Sequence, residues 1–115
     1  MPCLSIQTNR ALADEQQAEL LNAALDIVAS QLGKPQSYVM VSLVPAARIN
    51  FAGDESPTAF VELRSLGIPD SKRNSLCAAI TDLVARTCAI KPGRIYIVLV
   101  DVNAEFWSLS GSTFG

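Results

Sequence analysis

The residue of this chain best suited to acid–base chemistry is Pro2, which follows Met1 and immediately enters a predicted strand. Removal of Met1 would leave a secondary amine anchored by that strand. An α-amino group ordinarily has a pKa of about 7.7–8.0, and burial in an apolar pocket lowers it by disfavouring the ammonium form. A proline amine starts somewhat more basic, and burial would bring it near neutrality, where it could act as a general base. Many chains begin with Met-Pro, however, so taken alone this start favours no chemistry.

Other residue types that usually carry catalysis are absent or scattered. The chain has no histidine, which removes the commonest metal ligand and the usual base at neutral pH. It also lacks a phosphate-binding loop and a dinucleotide-binding glycine motif. Cys3, Cys77 and Cys88 lie inside predicted strand and helix patterns without a CxxC spacing, and their odd number argues against a disulfide framework. We therefore expect buried thiols, no metal site and no cofactor.

Composition restricts the class of partner. The 115 residues include nine basic and eleven acidic side chains, so the net charge is −2, and the basic residues form no cluster. Nucleic-acid binding depends on Lys and Arg that neutralise phosphates, and we expect none here. The sequence contains no apolar run of about eighteen residues and no secretory signal, so we expect no membrane span and a cytoplasmic location. Secretion by a non-classical route is the alternative.

The elements that must position Pro2 occur twice along the chain. Lys34–Val44 is matched in type and order by Lys91–Asp101, 57 positions later, which indicates two copies of one supersecondary unit. Each copy opens with a segment that alternates apolar and mostly polar residues, as half-buried strands do. These two opening strands are predicted at Pro2–Thr8 and Ala59–Ser65.

A helix is predicted between the two strands of each copy. Apolar residues recur at spacings of three and four from Asp14 to Leu32 and from about Asp70 to Ala89, which gathers them on one helical face. Strand, helix and strand in this order make the two strands of a unit parallel. We therefore predict a single domain over residues 1–115 with pseudo-repeats 1–57 and 58–115. Its fold class is α/β in the α+β form, with a four-stranded mixed sheet and both helices on one face.

The second strand of each unit is apolar on both of its faces. Large apolar side chains occupy both alternating sets of positions in Tyr38–Val44 and Ile95–Val100, as in strands buried on both sides. Leaving one face in water would forgo roughly 1.5–3 kcal/mol for each large aliphatic side chain. We expect further copies of the chain to cover this face in a closed symmetric oligomer. The alternative is that loop 48–58 or tail 103–115 folds back over the sheet.

Six short motifs follow one another in order from the first strand to the end of the chain. They are Pro2 before a strand, Gly33-Lys34-Pro35 followed by Tyr38, Ser65-Leu66-Gly67, Arg94-Ile95-Tyr96-Ile97, Asp101-Val102-Asn103-Ala104 and Ser112-Thr113-Phe114. Together they make the chain resemble the macrophage migration inhibitory factor family of the tautomerase superfamily. The resemblance implies a homotrimer of doubled β-α-β protomers whose sheets line a central barrel, in agreement with the covered face expected above.

The resemblance also implies an activity. It predicts cofactor-free keto-enol tautomerisation of small α-keto or enol acids, as in phenylpyruvate and dopachrome tautomerases. Pro2 would be the base that moves a proton between carbon and oxygen, provided that Met1 is removed. Lys34 would bind the substrate carboxylate and help to keep the proline amine neutral by like-charge repulsion. Without the resemblance, Lys34 reads as an ordinary lysine at a helix C-terminus, where the helix dipole favours a cation.

Further pocket residues follow from the resemblance alone. Leu66 would hold substrate through its backbone amide, and Tyr38 and Phe114 would line the mouth of the pocket. Tyr96 would reach the pocket from a neighbouring subunit, although packing in a core explains a tyrosine there equally well. Lys91 repeats Lys34, but no free amine lies near it in sequence, so each protomer should hold one active site.

The sequence departs from the family pattern at several positions. Val98 stands where mammalian members have a pocket asparagine, so we expect a modest loss of rate or an altered substrate preference. Thr58 and Val61 replace the two cysteines of a CxxC motif, which excludes a thiol oxidoreductase activity of that kind. Leu109 replaces a tryptophan near the pocket entrance.

Two other functions remain open at this point. One is a cytokine-like signalling role through a protein receptor, with vestigial catalysis. The other is a purely structural homotrimer.

Overall fold

Two β-α-β units follow one another in the chain, and a short hairpin comes after them. The computed structural model describes all 115 residues. The main elements are β1 (Pro2–Thr8), α1 (Asp14–Leu32), β2 (Met40–Val44), β3 (Ala59–Ser65), α2 (Arg73–Cys88), β4 (Ile95–Asp101), β5 (Ser108–Leu109) and β6 (Ser112–Thr113).

The sheet joins the two units through their first strands. Its order is β2-β1-β3-β4, with β1 parallel to β2, β3 parallel to β4, and β1 antiparallel to β3. This is the predicted four-stranded mixed sheet. Pro2 pairs with Ser65, and Ser65 pairs in turn with Asp101. The front of the chain, the end of β3 and the end of β4 therefore meet at one end of the sheet.

Both helices pack on the same face of the sheet and against each other. The side chains that fill this layer are fully buried because the apolar stripe of each helix faces the inward positions of the strands. They include Leu4 and Ile6 from β1, Val61 and Leu63 from β3, Leu20, Ala24 and Val28 from α1, and Leu76, Ile80, Leu83 and Val84 from α2.

The helix bounds agree with prediction for α1 and differ for α2. Helix α1 ends at Leu32, and Gly33 after it adopts a left-handed φ of 62° that glycine accepts without strain. Helix α2 begins at Arg73 rather than near Asp70, because Pro69 leads into a 3-10 turn over Asp70–Lys72. It also ends one residue early, since Ala89 has a φ of 55° and lies outside the helix.

Tyr38 does not belong to a strand, so the prediction of a strand from that residue was wrong. It lies in a 3-10 turn over Gln36–Tyr38, in which the Tyr38 N–H donates to the Pro35 carbonyl at 3.0 Å. The second unit has the matching turn at Pro92–Arg94, directly before β4. A 3-10 turn that begins at the proline or directly after it therefore precedes the second strand of each unit.

The sheet face opposite the helices is open in a single chain. On this face Met40 is 64% exposed, Tyr96 60% and Val98 41%, while Val41 and Ile97 of the same strands pack toward the core. The alternative in which loops cover this face is therefore wrong for most of its area. The tail reaches only the end of the sheet that carries Pro2.

The C-terminal tail forms a small hairpin that the sequence analysis did not predict. Strands β5 and β6 pair antiparallel, and Ser110 and Gly111 between them have φ values of 53° and 87°. Two consecutive positive φ angles are typical of a type I′ turn. The Phe114 N–H then donates to the Trp107 carbonyl at 3.0 Å, which holds both aromatic residues beside the sheet.

The three thiols are free, and only one is fully buried. Cys88 is buried, whereas Cys3 and Cys77 are half-buried, so the expectation of buried thiols holds for Cys88 alone. Burial raises the pKa of the Cys77 and Cys88 thiols. No helix of the chain is both long and apolar enough to cross a membrane.

Leu63 lies at the centre of the core, so its truncation tests the packing. We expect Leu63→Ala to lower the free energy of unfolding by about 2–5 kcal/mol, because it removes buried methyl groups and leaves a cavity. Urea unfolding followed by circular dichroism would measure this. Glu19→Ala, on the exposed face of α1, is the control and should change the free energy by no more than about 0.5 kcal/mol. Equal values for the two variants would contradict the packing described.

Candidate functional site

Pro2 is buried at the first position of β1, and the residue before it is held in place as well. The backbone N–H of Leu66 donates to the carbonyl of Met1 at 3.4 Å. Met1 and Leu66 are the residues next to the facing pair Pro2 and Ser65. In an antiparallel sheet, a facing pair flanked by such a hydrogen bond has its Cα atoms about 4.5 Å apart. The front of the chain is thus fixed by strand pairing and is not a loose terminus.

Two adjoining clefts open around Met1, and both also contact Tyr38 and Phe114. The first, named here the apolar cleft, has a volume of about 380 Å³. It is lined by Met1, Pro2, Cys3, Ser37, Tyr38, Val39, Met40, Trp107, Ser108, Leu109 and Phe114. The second, named here the lysine cleft, has a volume of about 530 Å³ and is lined by Met1, Lys34, Pro35, Tyr38, Leu66, Ala104 and Phe114.

Lys34 is positioned by the end of α1. Its backbone N–H donates to the Ala29 carbonyl at 2.9 Å, directly after the left-handed Gly33, and its side chain is half-buried without an ion-pair partner. A half-buried cation with no partner remains available to an anionic ligand in the lysine cleft. Five of the six predicted site residues, Pro2, Lys34, Leu66, Tyr38 and Phe114, therefore lie around the two clefts.

The electrostatics of this corner act on the terminal amine. Burial lowers the pKa of the Met1 amine, and the positive charge of Lys34 lowers it further. Both effects favour the neutral form of an amine at this end of the sheet. The direction is the one predicted for a base that must be unprotonated near neutral pH.

Tyr96 is the predicted site residue that the single chain does not bring to the clefts. It pairs with Phe60, which pairs with Gln7, so it lies about five strand residues from Pro2, or roughly 17 Å along the sheet. Its ring packs on Phe51 with ring centroids 4.7 Å apart, and the side chain lies on the sheet face opposite the helices. A residue placed in this way can reach the clefts only of another copy.

The apolar cleft also contains Met40, which sequence reasoning did not assign to a site. Met40 joins it because β1 and β2 are parallel and Met40 pairs with Cys3. Leu109, which was expected near the pocket entrance, joins the cleft through the hairpin together with Trp107. The Ser110-Gly111 pair was the available signal for that hairpin, since such dipeptides are typical of tight turns.

Comparison with known proteins agrees with this geometry. The sequence model described as Macrophage migration inhibitory factor (MIF) matches residues 1–115. The chain belongs to the macrophage migration inhibitory factor family. The macrophage migration inhibitory factor homolog of Brugia malayi is 36% identical over 116 residues, which cover all of both chains. The family predicted from the six motifs is thereby confirmed.

Solved structures of family members share the fold over nearly the whole chain. The homologue from Prochlorococcus marinus has a TM-score of 0.92 and 32% identity and covers 98% of this chain and 99% of its own. Macrophage migration inhibitory factor from Toxoplasma gondii has a TM-score of 0.91 and 32% identity and covers 97% and 99%, respectively. The predicted fold class is confirmed, and family membership supports a tautomerase-type or cytokine-like function in general terms.

The influence of Lys34 on the terminal amine can be measured directly in chains that retain Met1. We expect Lys34→Ala to raise the pKa of the Met1 amine, because the like charge is removed, yet to leave it below its ordinary value, because burial persists. The amine would be titrated by NMR after ¹³C-methylation. Lys91→Ala, which removes the equivalent lysine of the second unit, is the matched control and should leave the pKa unchanged. An unchanged pKa in Lys34→Ala would contradict the assigned cause.

Proposed function

We propose that this protein is a cofactor-free keto-enol tautomerase of small α-keto or enol acids of the phenylpyruvate type, with Pro2 as general base after removal of Met1. The observation that carries this proposal is the meeting of Pro2, Lys34 and the Leu66 amide at one end of the sheet, around two adjoining clefts. One cleft is mainly apolar, and the other contains the cation.

The reaction requires one base that both takes and returns a proton. The Pro2 nitrogen would remove the proton from the carbon next to the substrate carbonyl, and the electron pair would move to the carbonyl oxygen to give the enol. The ammonium form of Pro2 would then deliver its proton to that oxygen, or to carbon in the reverse direction. Atoms and charges balance without a cofactor.

Substrate orientation would depend on the two clefts. Lys34 would bind the carboxylate in the lysine cleft, and the Leu66 N–H, which now donates to the Met1 carbonyl, would become available to a substrate oxygen. The aryl group would pack in the apolar cleft against Tyr38, Trp107 and Phe114. This arrangement would place the reacting carbon near the front of β1.

The base must be neutral to act, and its surroundings favour that state. Burial and the charge of Lys34 lower the pKa of the Met1 amine. After processing, the amine of Pro2 would occupy a position one residue deeper in the same corner. Both influences would then act on a secondary amine that is intrinsically more basic, bringing its pKa toward the working range of a general base.

We further propose that three copies assemble through their open sheet faces. The exposed apolar side chains of β2 and β4 would become buried, which stabilises the assembly by roughly 25 cal/mol for each Å² of apolar surface removed from water. Tyr96 of one copy would approach the clefts of its neighbour. Each chain would therefore supply one base and complete one adjacent pocket.

Replacement of the base tests the activity. We expect processed Pro2→Gly to lose at least about a hundredfold in kcat/KM for phenylpyruvate, measured by enol absorbance, because a positioned base contributes about that factor or more. Wild-type protein that retains Met1, verified by intact mass, is the matched control and should be equally inactive, since its Pro2 nitrogen is an amide. Full turnover by either protein would refute Pro2 as the base.

A signalling role would give a different result with the same proteins. Binding to a cellular receptor that survives in Pro2→Gly, combined with negligible turnover by processed wild type, would favour a cytokine-like function over catalysis. Loss of turnover alone in Pro2→Gly, from an active wild type, supports the enzyme.

A charge on the open face tests the assembly. Three chains of 12.3 kDa should elute together at roughly 37 kDa by light scattering. Val98→Glu should dissociate them, because the carboxylate would be buried without a partner. Ala78→Glu, on the exposed side of α2, introduces the same charge elsewhere and should leave the assembly intact. A monomeric wild type would refute the trimer.

A further inference from the structure

The carboxylate at the end of β4 holds the turn that follows β3. The backbone N–H of Gly67 donates to Asp101 Oδ1 at 3.0 Å, and the Ile68 nitrogen lies 3.5 Å from Asp101 Oδ2. Asp101 stands beside Ser65 in the β3–β4 register, so its side chain is well placed to reach this turn. A short side chain with two acceptor oxygens is suited to binding consecutive N–H groups.

The turn is held on both sides of Leu66. Gly67 has a φ of 78°, which only glycine adopts without strain, and the Val102 N–H donates to the Ser65 carbonyl at 2.9 Å on the inner side. Leu66 lies between these two fixed points. The orientation of its peptide group is thus set by β3 on one side and by the Gly67–Asp101 contact on the other.

The peptide group of Leu66 faces the candidate site. Its N–H donates to the Met1 carbonyl at 3.4 Å, so removal of Met1 takes away this acceptor and leaves the donor directed at the lysine cleft. An N–H held in a fixed direction binds an incoming oxygen with little loss of conformational entropy. The donor is useful only if the turn does not relax once Met1 is gone.

We infer that Asp101 is a positioning residue, which keeps the Leu66 N–H directed at the oxygen of an anionic ligand in the lysine cleft. This inference rests on the proposed function for the identity of that ligand as a small keto acid. Asp101 does not line either cleft and acts through the Gly67 N–H. No other acidic side chain accepts a hydrogen bond from this turn.

Two substitutions separate positioning from a plain charge effect. Asparagine keeps an oxygen that can accept from Gly67 but removes the negative charge, whereas alanine removes both. If the charge of Asp101 merely repelled an anionic substrate, both variants would bind it more tightly than wild type does. If Asp101 orients the turn, Asp101→Ala should bind substrate more weakly, and Asp101→Asn should recover most of the affinity.

The experiment compares steady-state kinetics of processed proteins on phenylpyruvate. We expect Asp101→Ala to raise KM by about tenfold with little change in kcat, the factor expected when one well-oriented hydrogen bond to a charged group is lost. Glu105→Gln removes a nearby exposed charge that contacts neither cleft, and it should leave KM unchanged. Equal KM values for Asp101→Ala and wild type, or a lower KM in both Asp101 variants, would overturn the inference.

A direct measurement covers the case in which Asp101→Ala does not fold. Phenylacetate, which cannot be turned over, would be titrated into processed wild type and Asp101→Asn while amide NMR signals are followed. We expect the Leu66 signal to shift in both proteins at similar concentrations. A Leu66 amide that does not respond in wild type would refute its role and that of Asp101.

The proposed function and this inference fail in different ways. Absence of turnover by processed wild type would refute the tautomerase while leaving the phenylacetate titration as a test of the Leu66 amide. Turnover by wild type that is abolished in Pro2→Gly, together with an unaltered KM in Asp101→Ala, would retain the enzyme and exclude Asp101.

Discussion

The antiparallel pairing of β1 with β3 is the contact on which the rest of the structure depends. It joins two β-α-β units that would otherwise each present an unpaired edge, and it completes the single layer of buried side chains beneath both helices. Because the strands run in opposite directions, the start of β1 lies beside the end of β3. Pro2 and the Leu66 turn are neighbours for this reason, and the parallel pairing of β3 with β4 adds the end of β4.

The two ends of the sheet differ in the contacts that their loops make. At one end, the clefts form between the chain terminus, the turn after α1 and the hairpin. At the other, Arg94 binds the carbonyls of Phe51, Ser56 and Pro57, and its guanidinium lies 5.0 Å from the centre of the Phe51 ring. That end is held by an internal network. The two units are therefore similar in fold, but the apolar cleft and the lysine cleft lie only at the end of the sheet that carries Pro2.

The sequence was sufficient where the physical signal was local. Alternation predicted β1 and β3, and the apolar stripe with Gly33 predicted α1 at both ends. It misplaced Tyr38 because an apolar run continues through a turn that Pro35 initiates, and periodicity does not distinguish the two. The hairpin was missed because two-residue strands are too short to show alternation.

The predicted site residues also differ in whether contacts within one chain place them. Pro2, Lys34 and Leu66 were brought together as the motifs indicated, because strand pairing within one chain places them. Tyr96 could not be placed by any argument confined to one chain, since its predicted contact crosses between copies. The bond from Gly67 to Asp101 was also beyond sequence reasoning, because it joins residues 34 positions apart through the register of β3 and β4.

The bond between the Met1 carbonyl and Leu66 has a consequence for the order of events during synthesis. An aminopeptidase must draw an extended end of the chain into its own groove, and a paired strand cannot supply one. Leu66 is translated long after residue 1 has left the ribosome, so the nascent polypeptide passes through an interval in which its first peptide bond is still accessible. Pairing of β1 with β3 would close this interval, so trimming of the chain end would have to come before the sheet is complete.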